Sequence, residues 1–380
     1  MTREDRARRI VFSTDNLFGG TGTHILNMTK YWDSTLWQLN FICKARKTAY
    51  IERNVPIDFL PRLRSLNRYP VAQLHEIRYF YSYLRSKSPD IVHSFFFWPI
   101  LYGRILKLLG VIKILVENRE DEGFDWGRHE YMWLNLTRSM PDCVICVSES
   151  VRREVMRKEK IDPDRIIVIH NGTEPFQGNS WDKSAVRGEL GLHNNHLVVG
   201  MVANYNLSVK GASYFLDSIP TIIRTVPNAR FLILGRGGHE EGAMREKARS
   251  LGIESFIIFA GYQESIHKYY SIMDISVLTS LSEGLSITVL ESMSHGLPVV
   301  VTRVGGNPEV VEEGQTGYLV PPKDIESFSD RVIGLLLDQN LRLRMGEEGR
   351  KKVEEQFRLG VVAERYLQVY SGLLETTISI

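Results

Sequence analysis

Short apolar runs alternate with longer stretches of helical periodicity along almost the whole chain, the pattern of βα units wrapped around parallel sheets. In the first half, residues 10–13, 38–42, 57–60, 91–93, 112–116, 143–147 and 166–169 read as strands, with helical spacing at 23–33, 71–86, 100–109 and 150–160. In the second half, strands are expected at 198–203, 230–234, 256–259, 275–278, 299–302 and 317–320, and helices at 212–226, 240–251, 287–294 and 325–337. Between the halves, residues 173–181 carry Pro175 and Gly178 without periodicity and read as a linker. The expected fold class is α/β, with two facing Rossmann-like doubly wound parallel-sheet domains and a cleft between them, where such folds bind ligands. The expected boundaries are 1–173 for the first domain, 174–196 for the linker, 197–357 for the second domain and 358–380 for a closing helix that returns to the first.

A chain of 380 residues has room for two such cores. Its composition, 43% hydrophobic and 24% charged, excludes disordered and fibrous classes. Cys43, Cys143 and Cys146 lie in or beside apolar runs and are too few for a disulfide framework, so a reducing, cytoplasmic location is expected. No apolar run is long enough to span a membrane, and the charged start does not read as a signal peptide. The net charge of +2 conceals an asymmetry: residues 1–113 hold 18 Lys and Arg against 8 Asp and Glu, so a +10 end is offset by a −8 remainder. Lys44, Arg46, Lys47, Arg53, Arg62, Arg64 and Arg68 are interleaved with Tyr50, Phe59 and Tyr69, with Phe95, Phe96, Phe97 and Trp98 nearby in sequence. Such a surface suits a lipid-diphosphate acceptor and peripheral contact with an anionic plasma membrane. Overall near-neutrality gives no reason to expect a nucleic-acid partner.

Candidate chemistry gathers where strands hand over to helices. Gly19, Gly20, Thr21 and Gly22 follow the first strand, where glycines let backbone approach a ligand and a helix start offers free amides to an anion. The spacing is not that of a dinucleotide fingerprint, since Ile25 stands where the third glycine would be, which disfavours a nicotinamide oxidoreductase. After the strand at 275–278, Glu283, Gly284, Leu285, Ser286, Ile287 and Thr288 lead into a helix that carries Glu291 in its second turn. Amides there could hold a diphosphate while the two carboxylates accept sugar and ribose hydroxyls. Asn204, Asn206 and Lys210 lie between the second domain's first strand and its first helix, and bring a cation to the same sheet edge. Gly235 with Arg236, and Tyr262 after Gly261, close two further strands and could accept a flat base. Asp162 and Asp164 mimic a metal-binding pair but sit in a turn and read as structural, so no metal site is expected.

The series from Val202 to Gly211, Leu232 to Gly238, Asp274 to Glu291 with its E-x7-E spacing, Gly296 to Thr302, Gly305 to Glu309 and Gly317 to Pro322 resembles the family 4 retaining glycosyltransferases of GT-B fold. The likeness covers nearly all of the second domain and is thinner in the first. It implies metal-independent transfer of a sugar from a nucleotide-diphosphate donor, with a UDP-sugar as the expected co-substrate and no bound cofactor, to a glycan or lipid-linked acceptor. By position it implies Lys210 on the diphosphate, Glu283 on the donor sugar and Glu291 on the ribose, with amides from Leu285 to Thr288 on phosphate and the Gly19 and Gly20 turn closing over it. Two departures stand out. Asn204 and Asn206 occupy the place of an arginine common in the family, for which Arg303 or Arg236 are substitutes by proximity in sequence. A histidine common after the fifth strand of the first domain is replaced by Glu117, Asn118, Arg119, Glu120 and Asp121. Asn118 and Arg119 are therefore taken as catalytic candidates beside Glu283 and Lys210. His93, His24, Arg119 and Asp121 are acceptor-side candidates, although a structural role fits His93 and His24 equally. A nucleotide-sugar epimerase of the same fold and a non-catalytic sugar-nucleotide-binding subunit stay open as alternatives.

Overall fold

The computed structural model describes residues 6–15, 17, 19–43, 57–59, 71–123, 126–176, 178, 181–204, 207–236 and 240–378. The chain splits into two compact units, Met1–Asn171 joined by Leu359–Ile380, and Gly172–Arg358.

The first unit is built on β1 (Arg8–Thr14), β2 (Trp37–Cys43), β3 (Ile57–Phe59), β4 (Ile91–Phe95), β5 (Ile114–Arg119), β6 (Cys143–Cys146) and β7 (Ile166–Val168). They form one parallel sheet in the order β3-β2-β1-β4-β5-β6-β7. Its helices are α1 (Gly19–Met28), α2 (Val71–Lys87), α3 (Phe97–Leu108), α4 (Arg128–Leu136) and α5 (Glu149–Glu159). Successive strand residues point to opposite faces, which gives the sheet two cores. Ile10, Phe12, Ile91, Phe95 and Val116 pack with α1 residues Ile25 and Leu26, whereas Val11, Val92 and Leu115 pack with Phe80 of α2 and Leu106 of α3.

Three expectations are corrected here. Of the aromatic run expected beside a membrane surface, Phe95 and Phe97 enter the interior, only 1% and 9% exposed, because β4 and α3 bury them, while Phe96 and Trp98 stay half-buried. The cations from Lys44 to Arg68, with Tyr50 and Tyr69, lie outside the described residues. The fifth strand reaches Arg119 rather than stopping at residue 116. Its polar end stays in the sheet because Glu117 and Arg119 are neutralised in a buried quartet with Arg104 and Glu159. Arg104 meets Glu117 at 2.7 Å, and Arg119 meets Glu159 at 2.7 Å and Glu117 at 2.9 Å. Finally, α1 begins at Gly19, so the glycines form its first turn instead of a loop before it. Gly22 is required there, since a Cβ would lie 2.2 Å from the carbonyl carbon of Leu17.

The second unit holds β8 (Leu197–Val202), β9 (Ala229–Leu234), β10 (Ile257–Gly261), β11 (Ile275–Leu278), β12 (Val299–Thr302) and β13 (Gly317–Val320) in a parallel sheet of order β10-β9-β8-β11-β12-β13. Around it lie α6 (Lys183–Glu189), α7 (Leu207–Lys210), α8 (Ala212–Thr225), α9 (Glu240–Ser250), α10 (His267–Tyr270), α11 (Ile287–Ser294), α12 (Asn307–Val310), α13 (Ile325–Leu337) and α14 (Gln339–Gln356). Five of these, α6, α7, α10, α12 and α14, are absent from the hydropathy pattern, and two of the five carry side-chain caps. Asp182 caps α6 by accepting from the amides of Ser184 and Ala185, and Asp338 caps α14 by accepting from Leu341. The segment expected as a linker thus carries a capped helix and belongs to the second unit.

The chain closes with α15 (Leu359–Ile378), which puts Val362, Ala363, Tyr366 and Tyr370 into the α1 side of the first-unit core. Among the described residues no helix is long and apolar enough to cross a membrane.

Candidate active site

In the second unit, the carboxyl end of β11 continues into Thr279, Ser280 and Glu283 before α11 begins. Lys210, the last residue of α7, donates to Glu283 Oε1 at 2.7 Å, and Ser280 Oγ donates to the same oxygen at 2.5 Å. The other carboxylate oxygen carries neither bond. Glu283 is 7% exposed and Lys210 28%, so the pair sits at a mouth and is only partly desolvated. Backbone packing holds it there. Thr279 Oγ1 donates to the carbonyl of Gly211 at 2.9 Å, and the amide of Leu281 donates to the carbonyl of Val209 at 2.7 Å. On the other side Gly305, in the left-handed region at φ +52°, lets the β12–α12 turn approach so closely that a Cβ would lie 1.8 Å from the Glu283 carbonyl oxygen.

Immediately after Glu283, α11 presents its first turn. Its leading amides have no intrahelical acceptor, and the Ser286 side chain does not cap them, pairing with the Thr288 hydroxyl at 3.1 Å instead. Together with the positive end of the helix dipole and Lys210, this is a cradle for an anion. Gly284 and Leu285 are buried and contribute backbone, with the amide of Gly306 donating to the carbonyl of Gly284 at 2.8 Å. Glu291 lies one turn into α11, where Tyr270 donates to Oε2 at 3.1 Å and burial pushes the carboxyl up to about 7. At the β9 and β10 ends, Gly235 donates its amide to the Gly261 carbonyl at 2.9 Å, and the Arg236 guanidinium stacks on the half-exposed Tyr262 ring at 4.4 Å. The Arg236 amide points to Asn204 Oδ1 at 3.5 Å. Arg303 instead reaches Glu313 and the Leu319 carbonyl, both at 3.4 Å. Asn206 lies outside the described residues.

A group the sequence did not disclose supports this edge. Phe176, His295, His267 and Trp181 stack ring against ring, with Phe176 and His295 centroids 4.1 Å apart and His267 and His295 5.1 Å apart. His295 donates through Nδ1 to the Glu291 carbonyl at 2.8 Å, and burial pushes its ring down to about 4. The stack ties the 172–181 segment to the helix that carries Glu291.

In the first unit the candidates divide. Arg119 is a correction: it is 2% exposed and its guanidinium is committed to Glu117 and Glu159, so it is an interior ion-pair group and not an open catalytic or acceptor group. His93 is likewise interior, fully buried with Nδ1 on the Tyr370 hydroxyl at 2.6 Å and pushed down to about 3 by burial. His24 is 5% exposed and pushed down to about 4. Neither histidine faces outward as an acceptor group would. Asp121 remains half-buried and accepts from the Gly123 amide at 2.6 Å. Asn118, 1% exposed, accepts from Tyr366 at 3.0 Å through Oδ1 and donates through Nδ2 to Glu120 Oε1. Glu120 also takes the Thr21 hydroxyl on Oε2 at 3.2 Å, which joins the end of β5 to the first turn of α1. Glu120 stands in the polar run from Glu117 to Asp121, where nothing local in the sequence marks it off from its neighbours.

Residues 18–175 match Glycosyltransferase Family 4, and residues 182–352 match Glycosyl transferases group 1. The chain belongs to the family 4 glycosyltransferases of GT-B fold. This glycosyltransferase-family chain is 30% identical over 233 residues to N-acetyl-alpha-D-glucosaminyl L-malate synthase of Bacillus anthracis, covering 61% of this chain and 60% of that one. The chain thus spans less than two thirds of that relative. It is 25% identical over 352 residues to UDP-Gal:alpha-D-GlcNAc-diphosphoundecaprenol alpha-1,3-galactosyltransferase of Escherichia coli, covering 89% and 90%. Among solved structures, Anabaena HepE in complex with UDP-glucose superposes with a TM-score of 0.84 at 18% identity, over 96% of this chain and 99% of that one.

Proposed function

We propose that this chain transfers a sugar from a nucleotide-diphosphate donor, a UDP-sugar, to a glycan or lipid-linked sugar acceptor in cell-surface polysaccharide or glycoconjugate synthesis, with retention at the anomeric carbon and without a metal. The observation that carries this reading is the Lys210–Glu283 pair set beside the uncapped first turn of α11. In the reaction the anomeric carbon–oxygen bond to the diphosphate breaks and a bond to an acceptor hydroxyl forms, the hydroxyl proton passing to the departing diphosphate or to solvent. Negative charge grows on the diphosphate as it leaves. The α11 amides and the remaining ammonium protons of Lys210 are preorganised to meet it, the role a metal plays elsewhere. Glu283 holds Lys210 with one oxygen and accepts sugar hydroxyls with the other. Glu291 lies one turn deeper and accepts from the ribose, while Tyr262 with Arg236 gives the base a flat wall. The names of the Escherichia coli relative and the Anabaena complex support the choice of a UDP-sugar.

Thermal stabilisation by a panel of nucleoside diphosphates and their sugars tests the donor, since saturation at 100 times Kd adds about 2.7 kcal/mol of apparent stability. Lys210→Ala and Glu283→Ala are each expected to lower kcat/KM about 10²- to 10³-fold, as loss of one preorganised donor does elsewhere. Wild-type turnover in both variants rejects these roles. Peripheral binding to an anionic membrane rests on the +10 charge of residues 1–113 and is expected to weaken with salt. Failure to float with anionic liposomes at low salt rejects it.

A further inference from the structure

We propose that Tyr270 is a positioning residue of the donor site: its hydroxyl holds one oxygen of the Glu291 carboxylate so that the other is offered to the ribose, and the site thereby prefers a donor that carries ribose hydroxyls to one that lacks them. This rests on the reading of Glu291 as the group that meets the ribose.

Tyr270 ends α10 with only 1% of its surface exposed, in one core with Val202, Leu234, Met273 and Leu297, and its ring lies 4.8 Å from that of His295. A phenol buried in this way needs a partner for its hydroxyl. Two acceptors lie within reach of its single proton, the Thr288 carbonyl at 3.5 Å and Glu291 Oε2 at 3.1 Å. The carboxylate oxygen is nearer and, when ionised, charged, so it takes the proton. Burial raises the Tyr270 hydroxyl well above its ordinary range, which keeps it a donor whenever Glu291 is ionised. With Oε2 held, the carboxylate no longer rotates freely. No described residue bonds Oε1, and Glu291 is only half-buried, so this oxygen is left to accept ligand hydroxyls.

The same bond bears on the charge of Glu291. Burial pushes its carboxyl up to about 7, and the Tyr270 hydrogen bond pulls against that rise. Around it, α10 brings His267 beside Tyr270 and α11 brings His295, both rings pushed down by burial. From α14 come Gly346 and Gly349, from β11 Ser276, which accepts from Ser292, and from β12 its valines. Among the described residues, burial and Tyr270 are therefore what set the carboxyl. Ionised, Glu291 takes a ribose hydroxyl on a charge, and neutral it offers a weaker acceptor.

The test is the affinity of the full chain for UDP-glucose and for its 2′,3′-dideoxyribose analogue, by titration calorimetry from about pH 6 to about pH 8.5. Repulsion between the diphosphate and an ionised Glu291 acts on both ligands and cancels in the ratio of their Kd values. In the wild type that ratio is expected to grow about five- to tenfold in favour of ribose as pH rises through about 7, the difference between a charged and a neutral acceptor. Tyr270→Phe keeps the ring and removes the hydroxyl. It is expected to move the inflection up by about one pH unit and to lower the ratio about three- to tenfold at about pH 7.5. Fluorotyrosine at position 270, a stronger donor on the same ring, is expected to move the inflection down, and decides the matter if the phenylalanine variant does not fold. An unchanged ratio and inflection, or equal loss of both ligands, overturns the proposal alone. A wild type that binds the two ligands alike overturns the ribose role of Glu291 and the proposal with it. Failure of the wild type to bind any nucleoside-diphosphate sugar overturns the donor reading as a whole.

Discussion

Glu120 and Glu291 are carboxyls that burial pushes up to about 7, one at the end of β5 and one in α11. His24, His93 and His295 are shifted the other way, down to about 4, 3 and 4. A carboxyl raised in the fold binds its proton there while the unfolded chain has released it, so its contribution is present in full at low pH and is lost as pH rises towards 7. The buried histidines act in the opposite sense: their neutral form costs the fold nothing at high pH, and stability falls as pH drops below their unfolded value. Across about pH 4.5 to 7 the two groups oppose each other in the wild type. Removing one exposes its share: the stability of Glu291→Gln relative to wild type is expected to grow with pH through that window, with a slope on the order of 1 kcal/mol per pH unit. Urea titrations at fixed pH values measure it, and a difference that stays flat contradicts the burial of Glu291. Lys210, Glu283 and Glu291 were legible in sequence because each stands at a short fixed distance from a strand end. Glu120 was not, because its surroundings are made by Thr21 and Asn118 together with Tyr366, which is 248 residues from Asn118.

Elements with strong apolar runs are where expectation and structure agree. The strands expected at 275–278, 299–302 and 317–320 are those observed as β11, β12 and β13. Where polar residues are buried in compensating pairs, hydropathy stops too early, as at the end of β5. Where helices expose most of their surface, as in α6 and α14, periodicity is too weak and the capping aspartates carry the signal. Turns follow a different logic, set by how closely two backbones approach. Gly305→Ala is expected to destabilise by about 1–3 kcal/mol or more, because a left-handed backbone and the Glu283 carbonyl both reject a Cβ. Gly314 has φ +75° with nothing within 4 Å of a Cβ, so Gly314→Ala serves as the control, with about 1 kcal/mol expected. Chemical denaturation that ranks the two alike would contradict the packing of the β12–α12 turn.

For the whole molecule, α15 is the element with the longest reach. It starts after the second unit ends and completes the core of the first. Ending the chain at Arg358 would uncover the cavity filled by Val362, Tyr366 and Tyr370, each large buried side chain being worth about 1.5–3 kcal/mol. Such a sum approaches the whole stability of a domain. Hydrogen exchange of the truncated chain is expected to show lost protection in β1 and β4 with β8 to β13 still protected. Uniform loss across both sheets would show that the two units unfold as one.

Two parallel sheets, the glycine-rich turns and the E-x7-E edge were determined by the sequence alone, because strand periodicity, turn chemistry and short spacings are local properties. Tertiary structure decided the rest: that Arg119 is spent in a buried quartet, that His93 belongs to a core completed by α15, and that Glu120 is the acidic group bonded to the first turn of α1. Charge and proton affinity depend on what a side chain is buried against, and those partners come from distant parts of the chain.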